Sequence, residues 1–418
     1  MKKTKFSSDK KRLFNNFLSL SGLQVFTYIL PLITLPYLIR TLGIETYGLI
    51  VFSQAFIMFF QVFVDYGFNL SATREIAINR NNRKIIREIY SCVMIIKTIL
   101  VIFSFSVLIL VVFFVDKFSG NVELYLFTFL MVLGQAFFPV WYFQGMERMQ
   151  YITIINIIFR ISFAISIFLF VKSENDYLLV PILNGLGVCF GSLYSLWLIK
   201  FKFNETLIIP KWSEIYNRFK DSSQFFLSRV AVSLYTTANA FVLGLTVSNT
   251  MVGYYSIAEK LYQAIQTLYG PITQALYPYV AKERNVKLYK KILGLVVIFN
   301  ILGVIFAYFI GEKVFNILFT QEISVETIEI FNIFLIANLI AVPSVMIGYP
   351  FLAALGYAKF TNLSVLMTAF YHLLGIIIIV LFYQVTIYNV AILFVTTAML
   401  EFVIRVYGVK KYKLWKIG

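Results

Sequence analysis

The sequence predicts an all-α, polytopic membrane protein of about twelve transmembrane helices, and three observations predict it. Of the 418 residues, 60% are hydrophobic and 13% are charged, and the mean hydropathy is +0.82. Apolar runs of helix length recur along the whole chain, and about 20 residues at roughly 1.5 Å rise cross a hydrocarbon core of about 30 Å. The runs are continuous, whereas a transmembrane β-barrel needs alternating segments of about ten residues. Finally, Lys and Arg gather in the short segments between the runs.

In chain order, the basic start from Lys2 to Arg12 precedes the first run, 17–39. It is too long for a signal-peptide core and has no small-residue cleavage site, so it reads as a retained span. Runs at 46–67, 88–113, 122–144, 151–171 and 177–199 complete a first set of six. The longest loop, about 200–221, then divides the chain. Runs at 222–247, 252–279, 291–312, 325–352, 360–383 and 386–408 form the second set. The expected organisation is a six-helix bundle over 1–200, a cytoplasmic interfacial linker over 201–221, and a second six-helix bundle with a basic tail over 222–418.

The distribution of positive charge fixes the expected orientation, because cytoplasmic loops are enriched in Lys and Arg. With a cytoplasmic N-terminus, 27 of the 36 Lys and Arg fall in cytoplasmic segments, 4 (Arg40, Lys117, Lys172, Lys313) on the opposite side and 5 inside spans. Both termini are therefore expected in the cytoplasm. The net charge of +16 sits in these loops and does not form a nucleic-acid footprint. Cys92 and Cys189 both lie in apolar runs, which argues against a disulfide framework or a metal site. With His372 as the sole histidine and no phosphate-binding loop or nucleophile motif, no enzyme chemistry, ATP hydrolysis or cofactor is expected.

Within the linker, Trp212, Ile215, Tyr216 and Phe219 recur at helical spacing, with Lys211, Glu214, Arg218 and Lys220 on the other face; this pattern predicts a short amphipathic helix on the membrane. A faint internal repeat links the two sets of spans. Phe17-Leu18-Ser19 matches Phe226-Leu227-Ser228 at an offset of 209, and Tyr47-Gly48 is matched by Gly253-Tyr254, with the glycines 205 apart. Prolines at 31 and 36, 271 and 278, and 343 and 350 predict bent spans, and Gly187 and Gly191 predict close helix packing.

Charges inside spans cost about 2.5–3.5 kcal/mol on insertion scales and normally face the protein interior or a wet cavity. Five cations qualify: Lys97, Arg160, Arg229, Lys260 and Arg405. Glu401 lies four residues before Arg405 and is expected to pair with it. Lys97, Arg160 and Arg229 have no acid within a turn of their own helix, so they either line an anion-binding cavity or pair between helices. As a set the bases outnumber the acids, which suits an anionic cargo such as phosphate. The candidate substrate-binding residues are Arg229, Arg160, Lys97, Lys260 and Arg40; Asp65 and Glu259 are candidates for coupling or gating. His372 reads as a hydrogen-bonded interior residue.

The first eighty residues resemble the start of Wzx-type O-antigen and polysaccharide flippases, the branch of the superfamily that also holds multidrug and lipid II exporters. The resemblance rests on Asn16 to Ser19, Pro31 to Leu38, Arg40-Thr41-Leu42-Gly43, Tyr47-Gly48, Gln54-Ala55-Phe56 and Asp65 to Glu75, with a further stretch from Trp141 to Glu147. It implies two bundles around a central cavity that opens alternately to each side of the bacterial inner membrane. It also implies a cargo: an oligosaccharide joined through pyrophosphate to a polyprenyl lipid, moved to the outer leaflet for O-antigen or capsule assembly. A polysaccharide polymerase and a chain-length regulator are the implied partners, beside membrane lipids. A cation-coupled multidrug exporter would need buried acids rather than bases, and a polymerase or ligase would need a large outward loop that the chain lacks.

Overall fold

The computed structural model describes residues 2–319 and 324–416, with side chains described from Leu30 onward apart from those of residues 227–229, 231–232, 234–237 and 416. Every regular element among these residues is helical. Helix α1 (Lys2–Asp65) carries the first two predicted spans and stays helical through Pro31 and Pro36. Its one break is Gly43, at φ 76 and ψ 163, a conformation essentially confined to glycine. Thus the Arg40–Gly43 motif ends one span and starts the next.

A second sharp bend follows. Asp65 closes α1, Tyr66 (φ 46) and Gly67 (φ 78) turn the chain, and α2 (Phe68–Ile78) leaves in a new direction. Helix α3 (Arg83–Phe114) is capped by Asn82, whose side chain accepts from the Ile85 amide. The fourth predicted span is broken. It contains α4 (Asp116–Ser119) at its edge, then α5 (Val122–Thr128), α6 (Leu130–Phe137) and α7 (Val140–Gly145), with Phe138 and Pro139 non-helical between the last two. Helices α8 (Met149–Phe170) and α9 (Leu179–Phe201) complete the set. They pack closely where Gly187 and Gly191 meet Phe159 and Phe163, as the small-residue spacing predicts.

Helix α10 (Trp212–Thr246) differs from expectation, because the amphipathic stretch is the first part of the seventh span and not a separate surface helix. Its Ile215 is buried and its Phe219 stacks on Tyr66 at 4.3 Å, whereas Trp212 and Tyr216 are exposed. The eighth span breaks into α11 (Asn249–Thr267) and α12 (Gly270–Glu283) just before Pro271. Helix α13 (Val286–Phe319) contains the predicted ninth span, and α14 (Val325–Ile347) passes at Gly348 into a π-helical turn, Gly348–Tyr357, containing Pro350. Helices α15 (Ala358–Phe382) and α16 (Ile387–Lys411) end the chain.

Eight stretches among the described residues are long and apolar enough to cross a membrane. Leu30–Ile78 holds the second predicted span and the end of the first, Val325–Phe382 covers the predicted tenth and eleventh, and the spans predicted at 222–247 and 252–279 fall on helices less apolar than these.

Backbone contacts divide the chain into two units: Met1–Thr34 with Phe52–Ser233, and Leu35–Val51 with Leu234–Gly418. The boundaries therefore differ from the expected 1–200, 201–221 and 222–418. The linker is fastened to the first unit: Arg87 Nε pairs with buried Glu205 at 3.1 Å, Ser91 Oγ accepts from the Ile208 amide, and Arg218 pairs with Glu75 and Glu88. In the second unit, a Cβ on Gly48 would fall 1.8 Å from the Asn249 carbonyl oxygen, so residues 35–51 seat on the start of α11 through glycine.

Candidate functional site

In the first unit, Arg160 is the twelfth of the 22 residues of α8, roughly 16 Å from its start at 1.5 Å per residue. It lines a small, open pocket of about 20 Å³ bounded by Phe138 at the α6–α7 break, Asn156 and Phe159 of α8, and Asn184 and Gly187 of α9. The break at Pro139 and the glycines of α9 leave this space, because a continuous helix with larger side chains would fill it. Arg160 is half-buried. A guanidinium with amide groups on either side and aromatic rings on the walls can bind an anionic group by paired donors. Asn156 and Asn184 were not singled out from the sequence. The available signal was spacing, since Asn156 precedes Arg160 by one helical turn.

Lys97 occupies a different place in the same unit. It is 1% exposed, and its Nζ lies 3.7 Å from Asp65 Oδ1, which also accepts from Asn69 Nδ2 at 2.5 Å. The substrate-binding and gating candidates are thus joined as an interhelical ion pair at the Asp65–Gly67 bend. Asp65 Oδ2 and Asn69 Oδ1 are buried with no hydrogen-bond partner.

The second unit holds Lys260, Glu259 and Arg40. Lys260 Nζ donates to the Tyr47 hydroxyl and lies 5.0 Å from the Tyr47 ring centroid, so Tyr47 of the repeat motif is its partner. Glu259, beside it, is half-buried. Arg40 is exposed, and its Nη2 donates to the carbonyls of Ile317 and Leu318 at 3.1 and 2.5 Å. These are orphan carbonyls at the C-terminus of α13, where a cation is favoured. Arg229 falls on α10, but its side chain lies outside the described residues.

Two other buried groups have structural partners. Arg405 pairs with Glu401 at 2.6 Å, as the i, i+4 spacing predicts, and also donates to the Ser344 carbonyl at 2.9 Å, where α14 gives way to the π-helical turn. His372 bridges Asn239 of α10 and Thr397 of α16, each at 2.8 Å. Among the described residues no group of His, Cys, Asp and Glu could hold a metal ion.

Across 276 residues the chain is 29% identical to a protein of Escherichia coli (strain K12) named "Putative O-antigen transporter", covering 66% of each. Across 381 residues it is 28% identical to a protein of the same name from Shigella dysenteriae, covering 90% of this chain and 96% of the other. The fold is similar to that of an inward-facing multidrug resistance MATE family transporter of the MOP superfamily, with a TM-score of 0.70 over 97% of this chain and 98% of the other, at 13% identity. It is also similar to that of the lipid II flippase MurJ in an inward closed conformation, with a TM-score of 0.69 over 97% and 88%, again at 13% identity. The family model described as polysaccharide biosynthesis protein matches residues 13–283, nearly two thirds of the chain, and the chain belongs to that family.

Proposed function

We propose that this protein is a flippase that carries polyprenyl-pyrophosphate-linked oligosaccharide units from the cytoplasmic to the outer leaflet of the bacterial inner membrane by alternating access. Both termini are in the cytoplasm in this reading. The observation that carries it is Arg160, a guanidinium placed mid-helix in a membrane segment and opening on a pocket with Asn156 and Asn184. Family membership and the names of the two relatives support the cargo class, and the shared fold supports the transport cycle. Substrate contact is assigned first to Arg160, with Arg229, Lys260, Lys97 and Arg40 as further cationic positions and Asp65 and Glu259 as gating positions. A polymerase and a chain-length regulator are the proposed partners downstream. The multidrug reading shares the fold but needs an acidic site, and Asp65 has Lys97 beside it.

The test is leaflet transfer of a fluorescent polyprenyl-pyrophosphate oligosaccharide in vesicles containing the purified protein. Transfer should exceed that in empty vesicles. Arg160→Ala should slow it at least about tenfold, because a charge-assisted hydrogen bond contributes about 1.5–3 kcal/mol. Arg160→Lys should retain part of the rate. Wild-type protein that transfers no faster than empty vesicles would sink the proposal.

A further inference from the structure

The second unit contains an open hollow of about 180 Å³ between α11, α13 and α14. All ten residues that line it have apolar side chains, Leu261, Phe306, Ile310, Phe315 and Phe331 among them, and Gly311 leaves the wall open. Purely apolar hollows do not hold water. This one is not sealed, because Phe306, Val314 and Leu318 on its wall are also exposed on the outside of α13. In a bilayer such an opening faces hydrocarbon. On the scale of an apolar cavity of about 150 Å³ that accepts one benzene, the space holds about one isoprene unit.

A cation stands at the rim. Leu318 lines the hollow, and its carbonyl is one of the two that Arg40 Nη2 grips. The C-terminus of α13 carries roughly half a negative charge, so the guanidinium leaves a net positive charge there. Among the described residues Arg40 has no carboxylate in an ion pair, and Glu312 and Lys313, adjacent on α13, offset one another. Two of its donor directions are taken by carbonyls, and the rest of the fork is available to an anion.

We propose that Arg40 and the α11–α13–α14 hollow form a prenyl-phosphate site, in which the guanidinium takes the phosphate and the hollow takes an isoprene unit near the phosphate end of the same lipid. The site lies at the end of α13 remote from its basic start at Val286–Lys291, the outer-leaflet end in the orientation above. It therefore receives the carrier lipid after the headgroup has crossed. The identity of the chain rests on the flippase reading; the charge and the apolar hollow do not.

The experiment uses the full-length protein in lipid nanodiscs and a polyprenyl monophosphate bearing a diazirine in its first isoprene units. After illumination, the labelled residues are mapped by mass spectrometry. Labels should fall on the lining residues of α13 and α14 and be competed by unlabelled polyprenyl phosphate but not by phosphatidylglycerol. Gly311→Leu, which fills the hollow, should cut the labelling at least about tenfold, since each buried CH₂ group is worth about 0.8 kcal/mol. A Cβ at Gly311 meets only ordinary contacts with Phe331, at 3.5 and 3.8 Å, so Gly311→Ala serves as the folding control and should keep most of the labelling. Arg40→Gln should weaken capture of the phosphorylated probe while leaving labelling by the corresponding polyprenyl alcohol unchanged. Labelling that survives Gly311→Leu, or equal competition by phosphatidylglycerol, overturns the proposal. Leaflet transfer is measured on the same preparations: transfer without labelling of the hollow overturns the site alone, and labelling without transfer upholds the site and overturns the flippase reading.

Discussion

Lys97 and Asp65 illustrate how a charge inside a span acquires a partner from a distant stretch of sequence. Neither has an opposite charge within a turn of its own helix, and the pair forms between α1 and α3 at the Tyr66–Gly67 bend. Gly67 is required there twice over: its φ is 78, and a Cβ would meet Phe225 Cβ at 2.7 Å. The buried pair is costly to break, because removing one member strands the other charge, at about 3–5 kcal/mol. Lys97→Met should therefore lower the unfolding temperature in detergent markedly. Lys97→Met combined with Asp65→Leu should recover most of that loss, because an apolar pair of similar volume costs little. Equal loss in the single and double variants would show that the pair does not hold the bend. Of the candidate site, the sequence revealed the cations but not which of them had partners. Arg405 was readable because its acid lies on the same helix; Lys97, Lys260 and Arg40 were not, because Asp65, Tyr47 and the α13 carbonyls reach them only through the fold.

At the scale of elements, the internal repeat gains a physical basis. Adding the offset of 205 to Ile44 and Gly48 gives Asn249 and Gly253. A Cβ on Gly48 would strike the Asn249 carbonyl oxygen at 1.8 Å, and one on Gly253 the Ile44 carbonyl oxygen at 2.7 Å. Each repeated glycine thus packs on the residue equivalent to the one its counterpart packs on, which is the reciprocity of a local two-fold. Glycine is needed at both positions for close backbone approach rather than for an unusual φ. Gly48→Val should separate the two helix starts and reduce the yield of folded protein, and Gly253→Val should do the same; the yield of monodisperse protein on size exclusion is the measurement. Normal yield for either variant would mean the contact is dispensable. Helix breaks were less legible. Pro271 and Pro350 do coincide with interruptions, yet α1 runs unbroken through Pro31 and Pro36, and the α6–α7 break at Pro139 was not expected. A proline removes one backbone donor, and neighbouring helices decide whether the chain bends there. The linker was misread for a related reason. Its amphipathic pattern is real, but Phe219 stacks on Tyr66 and Ile215 is buried, so that half of the apolar face packs on protein while Trp212 and Tyr216 stay exposed.

For the whole molecule, hydropathy made the membrane class plain from the sequence, because continuous apolar runs are a property of composition and need no tertiary information. The orientation expected from charge is a property of composition in the same way. The asymmetry of 27 against 4 accumulates over many loops, and each Lys or Arg beside a span opposes its translocation, so reversing the chain would carry most of them across. Three of the basic residues in the expected cytoplasmic segments, Arg80, Arg87 and Arg218 of the first unit, engage acids: Glu147, Glu205, and Glu75 with Glu88. Lys172 and Arg40 belong to the sparse set expected on the opposite side. Alkaline phosphatase, active only outside the cytoplasm, reads the difference. Fusions after Ser173 and after Gln384 should be active, and fusions after Glu205, Asn285 and Lys416 inactive. The pair Ser173 and Asn285 is the sharpest comparison, because the two are separated by the long loop and by both helices of the broken eighth span, whose polar composition makes α10, α11 and α12 the least apolar of the predicted crossings. If both α10 and the α11–α12 segment cross, Asn285 lies opposite Ser173; if only one of them does, Asn285 becomes active and the fusions at Gln384 and Lys416 exchange their values. The activity at these few positions therefore counts the crossings in the half of the chain where hydropathy alone does not.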